Sequence, residues 1–132
     1  QTWRIVGFAF LWGVGIGILP SAFGIPAGVG DVLIGVTAIP IAFFLKRGYR
    51  WSKNAAVIWN VLGVVDLVMA ISLGLITSSE QRTETGTVTM QTLPWIFIPA
   101  VAVPVTLTLH GITLYLLRVW KPMQLPSKRS GV

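Results

Sequence analysis

Four long apolar stretches, separated by short polar or basic segments, run along the chain. They cover Trp3–Leu19, Ile25–Leu45, Asn54–Ile76 and Leu93–Leu117. A helix needs about 20 apolar residues to cross a bilayer, because each residue adds only ~1.5 Å along its axis. The first stretch is slightly short but within the tolerated range. The pattern therefore predicts an all-α fold, an integral membrane bundle of four transmembrane helices in residues 1–117, followed by a basic tail in residues 118–132.

Composition supports a membrane protein with a single domain. The chain has 132 residues, of which 54% are hydrophobic and only 11% are charged. A soluble domain of this length could not remove that much apolar surface from water, so we expect the lipid bilayer to be its main partner. There are no cysteines, which excludes disulfides and thiolate metal sites within the chain.

Basic residues flank the apolar stretches asymmetrically. If the loop Lys46–Lys53 is cytoplasmic, nine of the ten Lys and Arg residues lie on that side, namely Arg4, Lys46, Arg47, Arg50, Lys53, Arg118, Lys121, Lys128 and Arg129. Only Arg82 lies outside, beside Glu80 and Glu84. The positive-inside rule then predicts that both termini are cytoplasmic, in a bacterial inner membrane. Because no basic face with interleaved aromatic residues is present, we expect no nucleic-acid binding despite the net charge of +6.

Small residues and prolines indicate how the helices pack. Glycines recur in the first three stretches and allow close contact between helix backbones in lipid. In the fourth stretch, Pro99 and Pro104 each remove a backbone hydrogen bond, so we expect this helix to bend or to hold bound water.

Polar side chains within the apolar stretches are the candidates for chemistry. They are Arg4, Asp31, Asn60, Asp66 and His110. A charge in mid-membrane costs at least ~2.5 kcal/mol, so Asp66 is expected to face the bundle interior, either as a proton or cation relay or as a clamp that bonds Trp59, Asn60 or His110. Asp31 follows the first turns of its predicted helix, where a carboxylate is stabilised by the helix dipole, so a capping role competes with a functional one. Four hydroxyls are expected to bond their own helix backbones: Thr37, Ser72, Thr106 and Thr108.

His110 allows two interpretations. It could ligate the metal of a haem or chlorophyll-type group, with Trp12 and Trp59 as packing residues, or it could be a structural histidine bonded to Asp66 or to a carbonyl. A metal site formed by Asp31, Asp66 and His110 is chemically feasible, but the predicted helices place the two aspartates about 5 Å or more apart in depth. No spacing motif identifies a cofactor, which stays unknown.

Common catalytic motifs are missing from the sequence. It contains no phosphate-binding loop, no nucleophile elbow and no His-Glu-x-x-His motif. Every lysine is predicted at or beyond the inner interface, which excludes a Schiff-base lysine in mid-bundle. We therefore expect a protein that is not an enzyme.

Several motifs resemble a group of uncharacterised bacterial multi-span membrane proteins. The matching residues are Trp3-Arg4-Ile5-Val6-Gly7, Leu19-Pro20, Phe23, Pro26-Ala27-Gly28-Val29-Gly30-Asp31, Gly35, Thr37-Ala38, Trp59-Asn60, Gly63, Asp66, Leu93-Pro94, Pro99, Pro104 and His110. The resemblance extends to about Leu117 and implies that further hydrophobic segments precede the Trp-Arg position. It implies no activity, but it places the five polar candidates in one shared pattern.

Two functions remain open at this level. The first is an accessory or scaffold subunit that associates with itself or with a larger membrane complex and holds a lipid-like or pigment-like ligand. The alternative is a small proton- or cation-coupled transporter that uses Asp66 and Asp31. Four spans and an intramembrane carboxylate are similar to the small multidrug resistance transporters, although this chain lacks their membrane glutamate near the start of the first span, so the likeness is architectural.

Overall fold

Helices form most of the part of the chain that the structure describes. The computed structural model describes residues 1–80 and 90–119, with only the backbone of residues 78–80. A 3-10 helix, Thr2–Gly7, continues into α1, Phe8–Gly15. The long helices α2, Ser21–Lys46, and α3, Ser52–Glu80, follow, and a π-helical turn, Ile98–Ala102, leads into α4, Val103–Val119. The predicted polar loop residues 81–89, with Arg82 and Glu84, and the predicted tail from Trp120 onwards lie outside the described residues.

Three helices in the described part of the chain are long and apolar enough to cross a membrane. They are Ser21–Lys46, Ser52–Thr77 and Ile98–Val119. The first apolar stretch is not among them, because it is divided into the 3-10 helix, the short helix α1 and a turn that ends at Pro20. The all-helical prediction agrees with the structure, and the four-helix bundle with its cytoplasmic termini stays a prediction.

The N-terminal segment, formed by the 3-10 helix Thr2–Gly7 and by α1, lies antiparallel on α2. Gly17, with φ of 73°, reverses the chain between them, a backbone conformation that side chains other than glycine rarely adopt. On α2, Gly24, Gly28 and Gly35 share one face of the helix. A Cβ atom at Gly35 would lie 2.7 Å from the backbone nitrogen of Ile5, so the two backbones touch because this side chain is missing. The glycine face therefore has the packing role that the sequence predicts, and it acts within the chain.

An apolar core closes the end of the bundle near the turn between α1 and α2. Phe10 and Phe23 meet edge to face, with ring centroids 5.6 Å apart, and Leu19, Ala27 and Met90 complete the buried group. Elsewhere the long helices expose large apolar side chains such as Leu33, Leu62 and Leu75. An exposed apolar surface on helices of this length suits contact with lipid tails.

The prolines of the fourth apolar stretch interrupt its helix. Instead of one helix over Leu93–Leu117, the chain makes irregular turns, then the π-helical turn with Pro99 in its first positions, and only then α4. Proline cannot donate a backbone hydrogen bond, and the wider π turn accommodates the missing bond. The helix is thus irregular at Pro99, where it forms a π-helical turn, whereas Pro104 lies within α4. The bend or bound water stays a prediction.

Candidate functional site: a buried polar cluster around Arg4

All five intramembrane polar candidates meet in one place. Arg4, Asp31, Asn60, Asp66 and His110 form the polar cluster, and Arg4 is its centre. The Arg4 side chain is buried although it carries a permanent charge, with only 2% of its residue surface exposed. A buried guanidinium is stable only when its N–H groups are paired.

Each nitrogen of the Arg4 guanidinium has a partner. Its Nε donates to Asp31 Oδ1 at 2.6 Å, and Nη2 lies 2.5 Å from that oxygen. Nη2 also donates to Asp66 Oδ2 at 2.5 Å. Nη1 faces the carbonyl oxygen of Gly63 and Nε2 of His110, both at 3.4 Å. One side chain therefore connects the N-terminal segment to all three long helices.

The glycine face of α2 brings Arg4 to Asp31. Asp31 lies on the same side of α2 as Gly28 and Gly35, which is the side covered by the N-terminal segment. Because Gly35 lets the backbone of Arg4 and Ile5 rest directly on α2, the arginine side chain reaches the carboxylate. Gly7, on the N-terminal segment, also makes room for Asp31, since a Cβ atom there would overlap the side chain of Asp31.

A second pair of glycines admits the side chains of the longer helices. A Cβ atom at Gly30 of α2 would overlap the carboxylate of Asp66, which therefore packs against bare backbone. A Cβ atom at Gly63 of α3 would lie 2.5 Å from the His110 ring. The sequence predicts these glycines as helix contacts, and the structure adds that they make room for polar side chains.

His110 and Asn60 complete the cluster on its other side. Both side chains are buried. Asn60 donates from Nδ2 to the carbonyl of Ala56 at 2.8 Å, so its Oδ1 accepts from His110 Nδ1 at 2.9 Å. His110 Nε2 then carries a lone pair, which it presents to the cationic Nη1 of Arg4. This arrangement defines a neutral histidine with its proton on Nδ1.

The structure corrects three sequence-based positions. Arg4, predicted at the inner edge of a span, lies level with Asp31 and Asp66, because the N-terminal segment covers only half of α2. Asp31 is not near the start of its helix, since α2 begins at Ser21 and includes Pro26 in its interior. The two aspartates do not differ in depth as predicted, because both contact one nitrogen of Arg4.

Hydrogen-bond partners also differ from those expected. Asp66 bonds Arg4, rather than Trp59, Asn60 or His110. His110 bonds Asn60 rather than Asp66 or a carbonyl. Sequence reasoning missed the pairing of Arg4 with both carboxylates, although one arginine and two aspartates in apolar stretches were a signal for it. The four hydroxyls do bond their own helices as predicted, at Thr37, Ser72, Thr106 and Thr108.

Trp12 and Trp59, the predicted ligand-packing residues, lie beside different parts of α2. The Trp59 ring lies 5.8 Å from the His110 ring, and its indole donates to Thr37 Oγ1 at 2.9 Å. Trp12 is 58% exposed, and the residues on either side of it face the Gly24–Gly28 region of α2. That region is about nine residues, or ~14 Å, from Thr37 along the helix. The packing of both tryptophans around one ligand stays a prediction.

The cluster offers little to a metal ion. Among residues 1–80 and 90–119, no group of three or more His, Cys, Asp or Glu side chains is placed to hold one. Both ring nitrogens of His110 are engaged, and one of them faces the guanidinium, which would repel a cation at that position. In this geometry His110 has no free nitrogen for a metal, and the described residues place no three-ligand group at the two aspartates.

The polar cluster contains more acidic groups than basic ones. With both carboxyl groups ionised, two negative charges face the single positive charge of Arg4, and the neutral histidine adds none. Asp31 lies near the middle of α2, and Asp66 and His110 lie near the middle of their spans. An excess charge at that depth is costly, so the cluster favours uptake of one proton or cation.

Among the cavities in the described part of the chain, one lies beside the polar cluster and another beside the apolar core. The Arg4 cavity, of about 60 Å³, is bounded by the N-terminal segment and by the start of the C-terminal helix, and Arg4, Asp31 and Thr106 are in its wall. The apolar cavity, of about 230 Å³, lies beside the apolar core and is lined by Phe10, Phe23, Met90 and Ile98 among others.

The fold and the cluster define a class: an all-helical protein with three helices able to cross a membrane and a buried arginine–aspartate–histidine cluster at their centre. Residues 1–118 match the family described as Domain of unknown function (DUF8737), and the chain belongs to this family. Neither a curated protein nor a solved structure matches the chain.

Proposed function

We propose that the chain is an integral protein of a bacterial inner membrane that acts, without enzymatic chemistry, in proton- or cation-coupled transport. The observation that carries the proposal is the sharing of one guanidinium by two mid-helix carboxylates, Asp31 and Asp66. A site with one more carboxylate than it has cations can take up a proton or cation, and Arg4 offsets part of the cost of the charge that returns when it is lost. Such exchange within a span is the elementary step of a coupled transporter.

The helices around the cluster support movement as well as binding. The N-terminal segment is partly 3-10 helix, and the C-terminal helix begins in a π turn. Both irregular forms are frequent at functional hinges. Because Arg4 and His110 connect these two parts of the bundle, a change of charge at the cluster would alter how they pack.

Orientation is part of the proposal. The loop between α2 and α3 carries Arg47 and Arg50, and Lys46 and Lys53 flank it. We place this loop in the cytoplasm by the positive-inside rule. The turn between α1 and α2 would then lie towards the opposite face, together with the apolar core.

Ion flux in vesicles tests the function. The full chain is reconstituted into liposomes, and H⁺, Na⁺ and K⁺ gradients are imposed one at a time while internal dyes report the ion. We expect one gradient to dissipate faster than in protein-free vesicles, and D31N and D66N to abolish the difference. S72A is the matched control, because Ser72 bonds its own helix at an exposed position. Wild-type flux at the protein-free rate, or flux unchanged in both Asn variants, would exclude the transporter.

The second candidate is an accessory subunit that holds an apolar, lipid-like ligand. The apolar cavity favours it, because it is larger than the Arg4 cavity and is lined mostly by hydrocarbon side chains. In that role the polar cluster only fixes the bundle. Absorbance spectra and native mass spectrometry of protein purified gently from membranes would distinguish the two, since a retained ligand or partner supports the subunit and a bare chain with ion flux supports the transporter.

A further inference from the structure

Of the two carboxylates in the polar cluster, only that of Asp31 is exposed to the Arg4 cavity. Asp31 is in its wall together with Arg4, Gly7, Ala102 and Thr106. Asp66 does not line this cavity, and its carboxylate packs against Gly30, where a Cβ atom would overlap it. The side chain of Asp31 is correspondingly the more exposed of the two, at 19% against 10%.

Only one of the two carboxylate oxygens of Asp31 contacts Arg4. Both contacts with Arg4 use Oδ1. Within residues 1–80 and 90–119, Oδ2 accepts no hydrogen bond, and it is not among the buried atoms that lack a partner. A proton can therefore bind Oδ2 while the Nε–H···Oδ1 bond to Arg4 stays in place. Asp66 likewise bonds Arg4 through one oxygen, Oδ2, so exposure to the cavity, and not bonding, distinguishes the two carboxylates.

The cavity is large enough to hold water, and its mostly apolar wall includes the polar groups of Arg4, Asp31 and Thr106. A water molecule needs roughly 10–15 Å³ of such space and two to four polar partners. The cavity has about 60 Å³. Asp31, the guanidinium of Arg4 and the hydroxyl of Thr106 supply polar groups at its wall, although Thr106 already donates to the carbonyl of Ala102.

From these observations we infer that the Arg4 cavity is a mostly apolar access site, with room for water, through which Asp31, and not Asp66, exchanges protons. This deepens the proposed function and rests on it for its biological purpose. Asp66 is a fixed counter-ion that keeps Arg4 in place. The groups that face Asp31 are Arg4 from the N-terminal segment and Asp66 from α3, while His110 from α4 faces Arg4 and is neutral. A proton gained at Asp31 Oδ2 removes the excess negative charge of the cluster and moves no other proton.

Ala102 provides a means of closing the site without changing a charge. It lies in the π-helical turn and is part of the cavity wall. Ala102→Leu would place a larger apolar side chain there. The neighbouring Val101 lies in the same turn but is 51% exposed and not in the wall, so V101L is the matched control.

Labelling with dicyclohexylcarbodiimide tests the inference. This reagent adds to protonated carboxyl groups in apolar surroundings, and peptide mass spectrometry locates the adduct. In the reconstituted full chain we expect severalfold more adduct on Asp31 than on Asp66. A102L should lower the Asp31 adduct severalfold, whereas V101L should match the wild type.

The wild-type ratio of the two adducts needs no variant, so the inference can be tested even where A102L does not fold. Equal labelling of the aspartates, preference for Asp66, or an unchanged Asp31 adduct in folded A102L would overturn it. These outcomes are separate from those of the flux experiment. Preferential labelling of Asp31 without ion flux would support the access site and reject transport. Ion flux with preferential labelling of Asp66 would support transport and reject the access site.

Discussion

Arg4 Nη2 lies 2.5 Å from Asp66 Oδ2, across 62 positions of sequence, and this contact fixes the N-terminal segment to α3. The pair is not isolated, because the same nitrogen also contacts Asp31. Both carboxylates depend on a single cation. The stability of the bundle should therefore respond differently to loss of the arginine and to loss of one carboxylate.

Arg4→Met is expected to be strongly destabilising. It would leave two carboxylates facing each other without a cation, and breaking a buried ion pair by removing one partner costs about 3–5 kcal/mol. Asp31→Asn should cost less, because it also removes the excess negative charge. Thermal unfolding in mild detergent measures both effects.

Two further variants complete this experiment. Arg50→Met, in the exposed loop between α2 and α3, is the matched control and should change the free energy of unfolding little. The triple variant R4M/D31N/D66N should be more stable than R4M, since it has no unpaired charge. If R4M unfolds like the wild type, the guanidinium does not hold the cluster together.

His110 and Asn60 should be coupled energetically. H110F leaves the Asn60 carbonyl without its donor, and N60A removes the acceptor of the imidazole N–H. An unsatisfied buried polar group costs ~1–3 kcal/mol. The double variant should therefore lose less stability than the sum of the single variants, with a coupling of roughly 0.5–3 kcal/mol.

A control cycle uses two residues that do not share a bond. Ser72 is exposed and Thr113 is half-buried, and each donates to its own helix backbone. S72A and T113A should be additive. Additivity in the His110–Asn60 cycle as well would contradict the tautomer and the bond described here.

The lengths of the apolar stretches made part of this fold predictable from the sequence. Runs of hydrophobic residues located α2 and α3 to within a few residues, because helix length in lipid is tied to bilayer thickness. Trp3–Leu19 was less predictable, since a length within the tolerated range does not distinguish a span from a shorter helix with a turn. The start of α2 was predicted at Ile25 because the apolar stretch begins there, whereas the helix begins at Ser21 and includes Pro26.

The candidate site was predictable in its members but not in its pairing. Polar residues in apolar stretches are rare enough that Arg4, Asp31, Asn60, Asp66 and His110 all stand out. Pairing depends on relative depth and on which helix faces meet. The depth of Arg4 was wrong by about half a span, so its bonds to the aspartates could not be found from sequence spacing.

Glycine substitutions should separate the cluster from general helix packing. Gly30→Ala would push a methyl group into the Asp66 carboxylate, and Gly63→Ala would press on the His110 ring. Overpacking of this kind costs typically 1–3 kcal/mol. Thermal unfolding of both variants should show this loss, together with weaker ion flux if the transport proposal holds.

Gly111→Ala is the matched control for these substitutions. It lies in α4 directly after His110, and a Cβ atom there would meet no other atom within 4 Å. Alanine stabilises a helix interior by roughly 0.5–1 kcal/mol relative to glycine, so this variant should unfold at the same temperature or slightly higher. Equal effects at all three positions would mean that the contacts at Gly30 and Gly63 are not specific.

Membrane orientation can be tested cleanly, because the chain contains no cysteine. We expect a cysteine at Arg50 to react with a membrane-impermeant maleimide only after the cells are permeabilised, since this loop is proposed to be cytoplasmic. A cysteine at Leu93, which is 73% exposed and precedes the π-helical turn, should react in intact cells. The two sites lie at opposite ends of α3 in the chain and serve as controls for each other. The reverse pattern would invert the orientation, and reaction of both sites in intact cells would show that α3 does not cross the membrane.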